Sequence, residues 1–228
     1  MQWPGPALKP RRAAEPQYRI PKSEKYTALV RLRLHKLVCV RHRSWPTIDV
    51  MNAVQIAGCS GAGKSAVAAV LARRGRVAID SDDDPFLARF VDPAGAVVAE
   101  TPAAPDLAWL ARHSWAWDPA RLDELIRAAA PATLYVCGGA DNQHEVADRF
   151  TQVFLLEIDE PTMLARLDAR RGYHDWGRIG DTREYLRHKL PALQDRLRAS
   201  GAVSIDARQP LDQVVDAILS AISAASAG

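Results

Sequence analysis

The sequence lacks any long hydrophobic run and any recognisable secretory signal. Its apolar stretches are short and interrupted by Arg, Asp or Glu, whereas a membrane-spanning helix needs about 20 apolar residues in succession. The N-terminal residues are rich in Pro and Arg, with no apolar segment ahead of a cleavage site. We therefore expect a cytoplasmic protein with no membrane partner.

Cysteine is scarce as well, since the chain of 228 residues has only Cys39, Cys59 and Cys137. An odd number of widely spaced cysteines provides neither a disulfide framework nor a metal-binding CxxC pair. Cys59 lies inside the glycine-rich motif described below, where it is either a redox-sensitive thiol or a small residue that fits the turn. The second interpretation is favoured.

Acidic residues are scarce only at the N-terminus. Residues 1–50 contain eleven Lys and Arg against three Asp and Glu, a net charge of +8, whereas residues 51–228 carry −5. Residues 1–50 have three alternative interpretations. They form a basic arm for nucleic acid or anionic lipid, a disordered extension, or an upstream stretch that a wrongly chosen start codon adds before Met51. The last two interpretations are favoured, so we expect one domain over residues 51–228 and no nucleic-acid partner.

From residue 53 onward, short apolar runs alternate with helical apolar spacing. The Pro-rich residues 92–105 predict a loop. Strands that alternate with helices form a parallel sheet covered by helices on both faces. We expect the α/β class, as a three-layer α/β/α sandwich with a five-stranded parallel sheet. The predicted strands are 53–57, 76–80, 133–137, 152–158 and 202–206, and the predicted helices are 64–73, 119–130, 160–171, 182–199 and 211–224.

Residues 58–65 (GCSGAGKS) fit the P-loop pattern GxxxxGK[ST] at every fixed position, between a predicted strand and a predicted helix. Glycines let such a loop wrap closely around phosphate, and backbone N–H groups at the helix N-terminus face the anion. Lys64 is expected to reach the β- and γ-phosphates, and Ser65 to bind Mg²⁺. The motif predicts that ATP with Mg²⁺ is bound by Gly58, Ser60, Gly61, Ala62, Gly63, Lys64, Ser65 and Ala66.

A cluster of carboxylates, IDSDDD (79–84), follows the second predicted strand. Asp80 and Asp82 are two residues apart, so we expect both side chains on the same side of the strand, at the ligand-binding edge of the sheet. One is expected to hold Mg²⁺ through water, and the other to accept the proton of an acceptor hydroxyl. The alternative is an acidic cap for a helix beginning at Pro85, which is how we interpret Asp84.

The stretch IAGCSGAGKSAVAAVLARRGRVAIDSDDD resembles the opening of shikimate-kinase-like and dephospho-CoA-kinase-like proteins, P-loop small-molecule kinases of the adenylate kinase and shikimate kinase type. The resemblance extends over residues 53–220 and implies the strand order 2-3-1-4-5. It also implies that Asp80 assists Mg²⁺ and that Asp82 binds the acceptor hydroxyl. The sequence departs from the family at Ala66, where Thr is usual.

The segment LYVCGGADN (134–142) places Gly138 and Gly139 at the end of the third predicted strand. Shikimate kinases carry three glycines there, which contact the acceptor, and gluconate kinases carry Cys-Ser-Ala. The Cys-Gly-Gly-Ala of this chain matches neither. By resemblance we assign Gly138, Gly139 and Asn142 to the acceptor site; capping of the loop and helix is the alternative for Asp141 and Asn142.

Arginines surround residues 172–181 (GYHDWGRIGD), the position of the mobile lid in adenylate-kinase-like enzymes, whose arginines close over the phosphates. A planar guanidinium suits this role because it binds phosphate oxygens in pairs. We assign catalytic roles to Arg170 and Arg178, which bracket the loop. Pairing with Asp168 and Asp175 on a solvated helix is the alternative. The arginines are Arg166, Arg170, Arg171 and Arg178.

The segment SIDARQPLDQVVDAIL (204–219) resembles the last strand, adenine-side loop and final helix of these kinases, and Arg208 and Pro210 are assigned to the nucleotide on that basis. The resemblance is weakest in the middle third, which is rich in aromatic residues. They form either an acceptor pocket or part of the core, and the core is favoured. They are Trp109, His113, Trp115 and Trp117.

The function that these motifs favour is transfer of the γ-phosphoryl group of ATP to a small molecule, as in shikimate, gluconate, nucleoside or nucleotide kinases. One alternative is a regulatory module that binds nucleotide without an acceptor, and another is a kinase acting on nucleic-acid ends. The acidic pair followed by an arginine-rich lid argues against the first. The charge of −5 on residues 51–228 argues against the second.

Overall fold

A five-stranded parallel sheet lies at the centre of the protein, in a computed structural model that describes residues 52–170 and 175–225. These ranges contain seven strands: β1 (Ala53–Ala57), β2 (Val77–Asp80), β3 (Ala88–Val91), β4 (Ser114–Trp117), β5 (Leu134–Cys137), β6 (Phe150–Glu157) and β7 (Val203–Asp206). The parallel strands lie in the order β2-β5-β1-β6-β7. Numbered within the parallel sheet alone, this is 2-3-1-4-5, so the predicted topology is confirmed.

Six α-helices connect these strands within the described ranges. They are α1 (Lys64–Arg73), α2 (Leu107–Arg112), α3 (Pro119–Ala129), α4 (Glu160–Ala169), α5 (Thr182–Ala199) and α6 (Leu211–Ala225). Carboxylates cap several N-termini: Asp118 accepts from the backbone N–H of Arg121, and Asp159 from that of Thr162. The five strands and five helices predicted above all occur, with ends that agree to within about two residues.

The two faces of the sheet are covered by different helices. Along β1, Val54 and Ile56 point into a core built mainly with α1, α4 and α6, whereas Ala53 points to the opposite face, where α3 packs. This alternation is the strand period of two. The result is the predicted three-layer α/β/α sandwich, in which the P-loop leaves the centre of the sheet between β1 and α1.

An antiparallel pair of strands, β3 and β4, was not foreseen from the sequence. Phe90 lies opposite Trp115, and Ala88 opposite Trp117, so these four side chains share one face of the pair. Trp117 is 2% exposed and belongs to the core over α3, as the favoured interpretation expected, whereas Trp109, His113 and Trp115 are only partly buried. The helix expected to begin at Pro85 is absent; a turn at this position leads into β3.

The predictions for residues 1–50 and for Arg171 fall outside the described ranges, as does the first part of the predicted lid, residues 172–174. Between residues 52 and 225, wherever the chain is described, no helix is long and apolar enough to cross a membrane.

Candidate active site

The P-loop connects the end of β1 to the start of α1 in a conformation that requires glycine. Gly61 and Gly63 have φ values of 84° and 100°, a region that other residues rarely adopt. A Cβ on Gly58 would lie 3.0 Å from the carbonyl oxygen of Leu156 on β6. The loop therefore packs tightly against the sheet, and its backbone N–H groups and the N-terminus of the ten-residue helix α1 are available to an anion.

The Lys64 side chain folds back over this loop. Its Nζ donates a hydrogen bond to the carbonyl oxygen of Cys59 at 3.2 Å, and the backbone N–H of Ala62 donates to the same oxygen at 3.1 Å. The Cys59 thiol is buried and lies 3.8 Å from the sulfur of Met163, and burial raises its pKa. A buried, protonated thiol is poorly reactive, which supports the interpretation of Cys59 as a residue that fits the turn.

Asp80, the last residue of β2, meets the beginning of α1. Its carboxylate accepts a hydrogen bond from the backbone N–H of Asp82 at 3.1 Å. Burial raises the pKa of Asp80, and the neighbouring charge of Asp82 adds to this effect, while the nearby Ser65 hydroxyl opposes it. The structure thus brings together the hydroxyl and the carboxylate that the sequence assigns to Mg²⁺.

The oxygen donors of this pair fit Mg²⁺, which prefers a hydroxyl and one or two carboxylates and keeps several water ligands. Ser65 would bind the ion directly and Asp80 would hold its water, with the nucleotide phosphates completing the site. Within the described part of the chain, no group of three or more His, Cys, Asp or Glu side chains could hold a metal by itself. A site completed by nucleotide is compatible with that finding.

Asp82 lies beyond the end of β2, in the short 3-10 turn Ser81–Asp83, and is exposed. Because the strand ends at Asp80, strand alternation does not set the direction of Asp82. Its Oδ1 instead accepts hydrogen bonds from the Ser81 hydroxyl and from the indole N–H of Trp115, both at 3.2 Å. Asp84 has a structural role: it accepts from the backbone N–H of Phe86 and Leu87 and pairs with Arg121.

The end of β5 contributes Gly138 and Gly139, which differ in their surroundings. A Cβ on Gly138 would lie 1.7 Å from the Ser81 hydroxyl oxygen, whereas one on Gly139 would meet nothing within 4 Å. Gly138 is thus required by the packing of β5 against the turn after β2. Of the two, only Gly139 has open space at its Cβ position.

Asp141 and Asn142 complete the hydrogen bonding along one edge of β4. The Asn142 amide accepts from the backbone N–H of Trp117 at 2.9 Å and donates to its carbonyl oxygen at 3.0 Å. Asp141 accepts from the backbone N–H of Trp115 at 2.9 Å and from Lys189 Nζ at 2.8 Å. Both ends of the Asn142 amide are therefore engaged by the backbone of β4, and the side chain does not cap the 3-10 helix that follows it.

Arg170, at the end of α4, reaches the P-loop. One nitrogen of its guanidinium donates to the Ser60 hydroxyl at 3.5 Å and another to the carbonyl oxygen of Trp176 at 3.3 Å. Burial lowers its pKa, and the nearby charge of Arg178 lowers it further. Arg178 is exposed, pairs with Asp175 and donates to the Arg170 carbonyl oxygen at 2.8 Å. The two arginines chosen from the sequence thus lie together, with Arg170 nearer to the loop.

Arg166, which sequence analysis did not select, connects the P-loop to the segment after β7. Its guanidinium donates to the carbonyl oxygens of Gly61 and Ala62 at 3.3 Å and to that of Ala207 at 2.7 Å. Arg208 is exposed and pairs with Asp206 and Asp159, whose hydrogen bonds raise its pKa. Arg166 therefore fixes the segment after β7 to the P-loop, and Arg208 stabilises the turn that leads to Pro210.

Sequence analysis also missed Lys189, and it did not connect Trp115 with Asp82. Lys189 lies on the inward face of α5, between Asp141 and Tyr185. Burial opposes its charge, but pairing with Asp141 and Tyr185 outweighs this, so the pKa of Lys189 is raised. A lysine among apolar positions of a long helix was the available signal, since buried lysines are nearly always paired.

No family model matches the chain, and no curated protein matches its sequence. Among solved structures it is similar to shikimate kinase from Acinetobacter baumannii in complex with shikimate, at 21% identity over 77% of this chain and 95% of that one, with a TM-score of 0.49. It is similar to a gluconokinase from Sinorhizobium meliloti at 17% identity, covering 74% of this chain and 90% of that one, TM-score 0.44. It is also similar to deoxyadenosine kinase from M. mycoides with bound dATP, at 16% identity, covering 75% of this chain and 99% of that one, with a TM-score of 0.44. Likeness at this level does not carry a substrate from one protein to another.

Proposed function

We propose that this chain is a kinase that uses ATP and Mg²⁺ to phosphorylate a small molecule. The observation that supports it best is the meeting of two elements, β2 and α4, at the P-loop. Asp80 comes from β2 to meet Ser65, and Arg170 comes from the end of α4 to meet Ser60. A phosphate-binding loop, a metal-binding pair and an arginine are the parts that phosphoryl transfer needs.

In the proposed reaction the P-loop N–H groups and Lys64 hold the β- and γ-phosphates, while Asp82 orients the acceptor hydroxyl. Asp82 accepts the hydroxyl proton, and the hydroxyl oxygen forms a bond to the γ-phosphorus. The bond from that phosphorus to the bridging oxygen breaks, and ADP leaves with its electron pair. Arg170 and Arg178 offset the negative charge on the transferred group. Mg²⁺, when bound, neutralises charge on the phosphates.

The remaining assignments follow from the contacts. We propose that Arg208 and Pro210 shape the adenine side, with Arg166 fixing that segment to the loop. Gly139 is the backbone position proposed to approach the acceptor, because a Cβ there would meet nothing within 4 Å. Gly138 and Asn142 contribute indirectly, by fixing the ends of β5 and β4.

The test is a screen for ADP formation from Mg²⁺-ATP with gluconate, shikimate, deoxyadenosine and nucleoside monophosphates as acceptors. Lys64→Ala should abolish transfer, because the Lys64 charge is needed on the phosphates, while circular dichroism and melting temperature stay unchanged. Arg73→Ala removes an exposed cation at the other end of α1 and is the matched control, expected to keep full activity.

If the folded Lys64→Ala protein turns over as fast as wild type, the assignment of residues 58–65 as a phosphate-binding loop is wrong. If wild type binds Mg²⁺-ATP but phosphorylates none of these acceptors, and neither Asp80→Asn nor Asp82→Asn alters its slow hydrolysis of ATP, a regulatory nucleotide-binding module becomes the better description.

A further inference from the structure

A line of hydrogen bonds connects α5 to the acidic turn after β2. It begins at Lys189, whose Nζ donates to Asp141 Oδ1 at 2.8 Å. The other oxygen of Asp141 accepts from the backbone N–H of Trp115 at 2.9 Å. The Trp115 indole N–H then donates to Asp82 Oδ1 at 3.2 Å. The proposed reaction uses only the last of these groups.

Trp115 is fixed at both its backbone and its ring. Its carbonyl oxygen accepts from the backbone N–H of Asp141 at 2.7 Å, so Asp141 pairs with it in both directions. Its ring packs edge-to-face on Phe90, with the centroids 4.9 Å apart. Phe90 also contacts Trp109 and Trp176. Backbone and ring are both held in the arrangement in which the indole N–H points to Asp82.

The two oxygens of Asp82 differ as a result. Oδ1 accepts hydrogen bonds from both the Ser81 hydroxyl and Trp115. Oδ2 accepts none from any residue within 52–170 or 175–225, the parts of the chain that the structure describes. A carboxylate on an exposed turn rotates freely unless one oxygen is held. Two donors on Oδ1 limit that rotation and leave Oδ2 for a hydroxyl.

We infer that Trp115 is a positioning residue for phosphoryl transfer, acting through Asp82. Its indole N–H holds Oδ1, and Asp141 and Lys189 hold Trp115 in turn. The role in transfer rests on the proposed function of Asp82, whereas the contact itself does not. Holding a reacting group in one orientation lowers the entropy that the transition state must lose.

The contact can be tested without any acceptor, by the indole N–H signals of ¹⁵N-labelled protein. The chain has six tryptophans, so the signal of Trp115 is identified as the one that Trp115→Phe removes. Asp82→Asn should shift that signal upfield, because a hydrogen bond to a neutral amide is weaker than one to a carboxylate. The signal identified in the same way with Trp109→Phe should not move. If the chemical shift of the Trp115 indole N–H does not change in Asp82→Asn, the inference is overturned.

The positioning role is tested by kinetics on whichever of gluconate, shikimate or deoxyadenosine is phosphorylated, or on water if none is. Trp115→Phe keeps the ring but loses the donor, so kcat should fall about 10- to 100-fold, as for a hydrogen bond to a charged group. KM for ATP should stay unchanged. Trp109→Phe removes an indole N–H from the same aromatic cluster and is the control, expected to keep kcat within about twofold.

A double variant separates positioning from simple structural support. If Trp115 acts through Asp82, then Trp115→Phe with Asp82→Asn should be no slower than Asp82→Asn alone. Losses that multiply, or a fall in kcat that Trp109→Phe reproduces, would overturn the inference while leaving the kinase assignment intact. If instead wild type transfers phosphoryl to neither acceptor nor water, the proposed function fails, and the positioning role fails with it even where the indole signal confirms the contact.

Discussion

Among single residues, Asp80 is the clearest case in which the site opposes the stability of the fold. Burial and the charge of Asp82 raise its pKa, so the ionised carboxylate is less stable in the folded protein than in the unfolded chain. The penalty is small at acid pH, where the carboxyl is protonated, and grows as the pH rises and the carboxylate ionises. Mg²⁺ is the group that would relieve it.

Asp80→Asn should therefore raise the melting temperature at neutral pH without Mg²⁺, because it removes a partly buried charge and keeps an oxygen for Ser65. The same change should weaken the stabilisation that Mg²⁺-ATP gives and raise the Mg²⁺ concentration needed for transfer. Thermal melts with and without Mg²⁺-ATP check both effects. An Asp80→Asn protein that melts at a lower temperature than wild type, and that Mg²⁺-ATP stabilises as much as it stabilises wild type, would contradict the assignment. Asp82→Asn is the comparison variant, because Asp82 is not assigned to Mg²⁺.

Residue types alone located much of the site, but not the partners of its side chains. The P-loop and Asp80 were predictable because strand ends of a parallel sheet meet at one edge. The hydrogen bond from Trp115 to Asp82 was not, since the two are 33 positions apart and belong to elements whose docking the sequence does not show. Arg166 was passed over in favour of Arg170 and Arg178 because spacing identifies a basic helix end, not which guanidinium reaches the loop.

At the scale of elements, the parallel strands were predictable and the hairpin was not. The central parallel strands are mostly apolar, as in AVQIA at 53–57 and LYVC at 134–137, because they are covered on both faces. In contrast, β3 (ARFV) carries an arginine in its middle, and β4 (SWAW) is separated by one residue from the end of the short helix α2. The backbone of β4 is held by the Asp141 and Asn142 side chains, which no local pattern reveals.

The junction between the ends of β5 and β2 gives an element-scale prediction. Gly138→Ala would place a methyl group 1.7 Å from the Ser81 hydroxyl oxygen, and the turn carrying Asp82 would have to move. We expect a loss of about 1–3 kcal/mol of unfolding free energy, typical of overpacking, together with a loss of transfer activity. Chemical denaturation and turnover measure the two.

Gly139→Ala is the matched control for this junction, because its methyl group would meet nothing within 4 Å. It should keep the free energy of unfolding of wild type. If Gly139 approaches the acceptor as proposed, the variant should nevertheless raise KM for the acceptor and leave KM for ATP unchanged. Equal destabilisation by the two alanines would show that the close contact with Ser81 does not decide the fold of this junction.

At the scale of the whole molecule, the core is assembled by residues 53–225. All five strands of the parallel sheet and the helices that cover it lie in this range, and each face has its own cluster of buried side chains. The charge divides at nearly the same position, with +8 on residues 1–50 and −5 on residues 51–228. The basic character of the chain is thus a property of its first 50 residues and not of the sandwich that holds the P-loop.

A chain that begins at Met51 should therefore fold and bind Mg²⁺-ATP like the full-length protein. The parallel sheet keeps every strand, and β1, which would then lie next to the new N-terminus, is paired on both sides by β5 and β6. We expect a melting temperature within a few degrees of the full chain, since about 1 kcal/mol corresponds to about 2–4 °C at this size. ATP affinity should stay unchanged at both low and high salt, because the charges removed are not assigned to the nucleotide. A large drop in melting temperature would show that residues 1–50 stabilise the domain. A loss of ATP affinity at low salt alone would assign their positive charge to the phosphates instead.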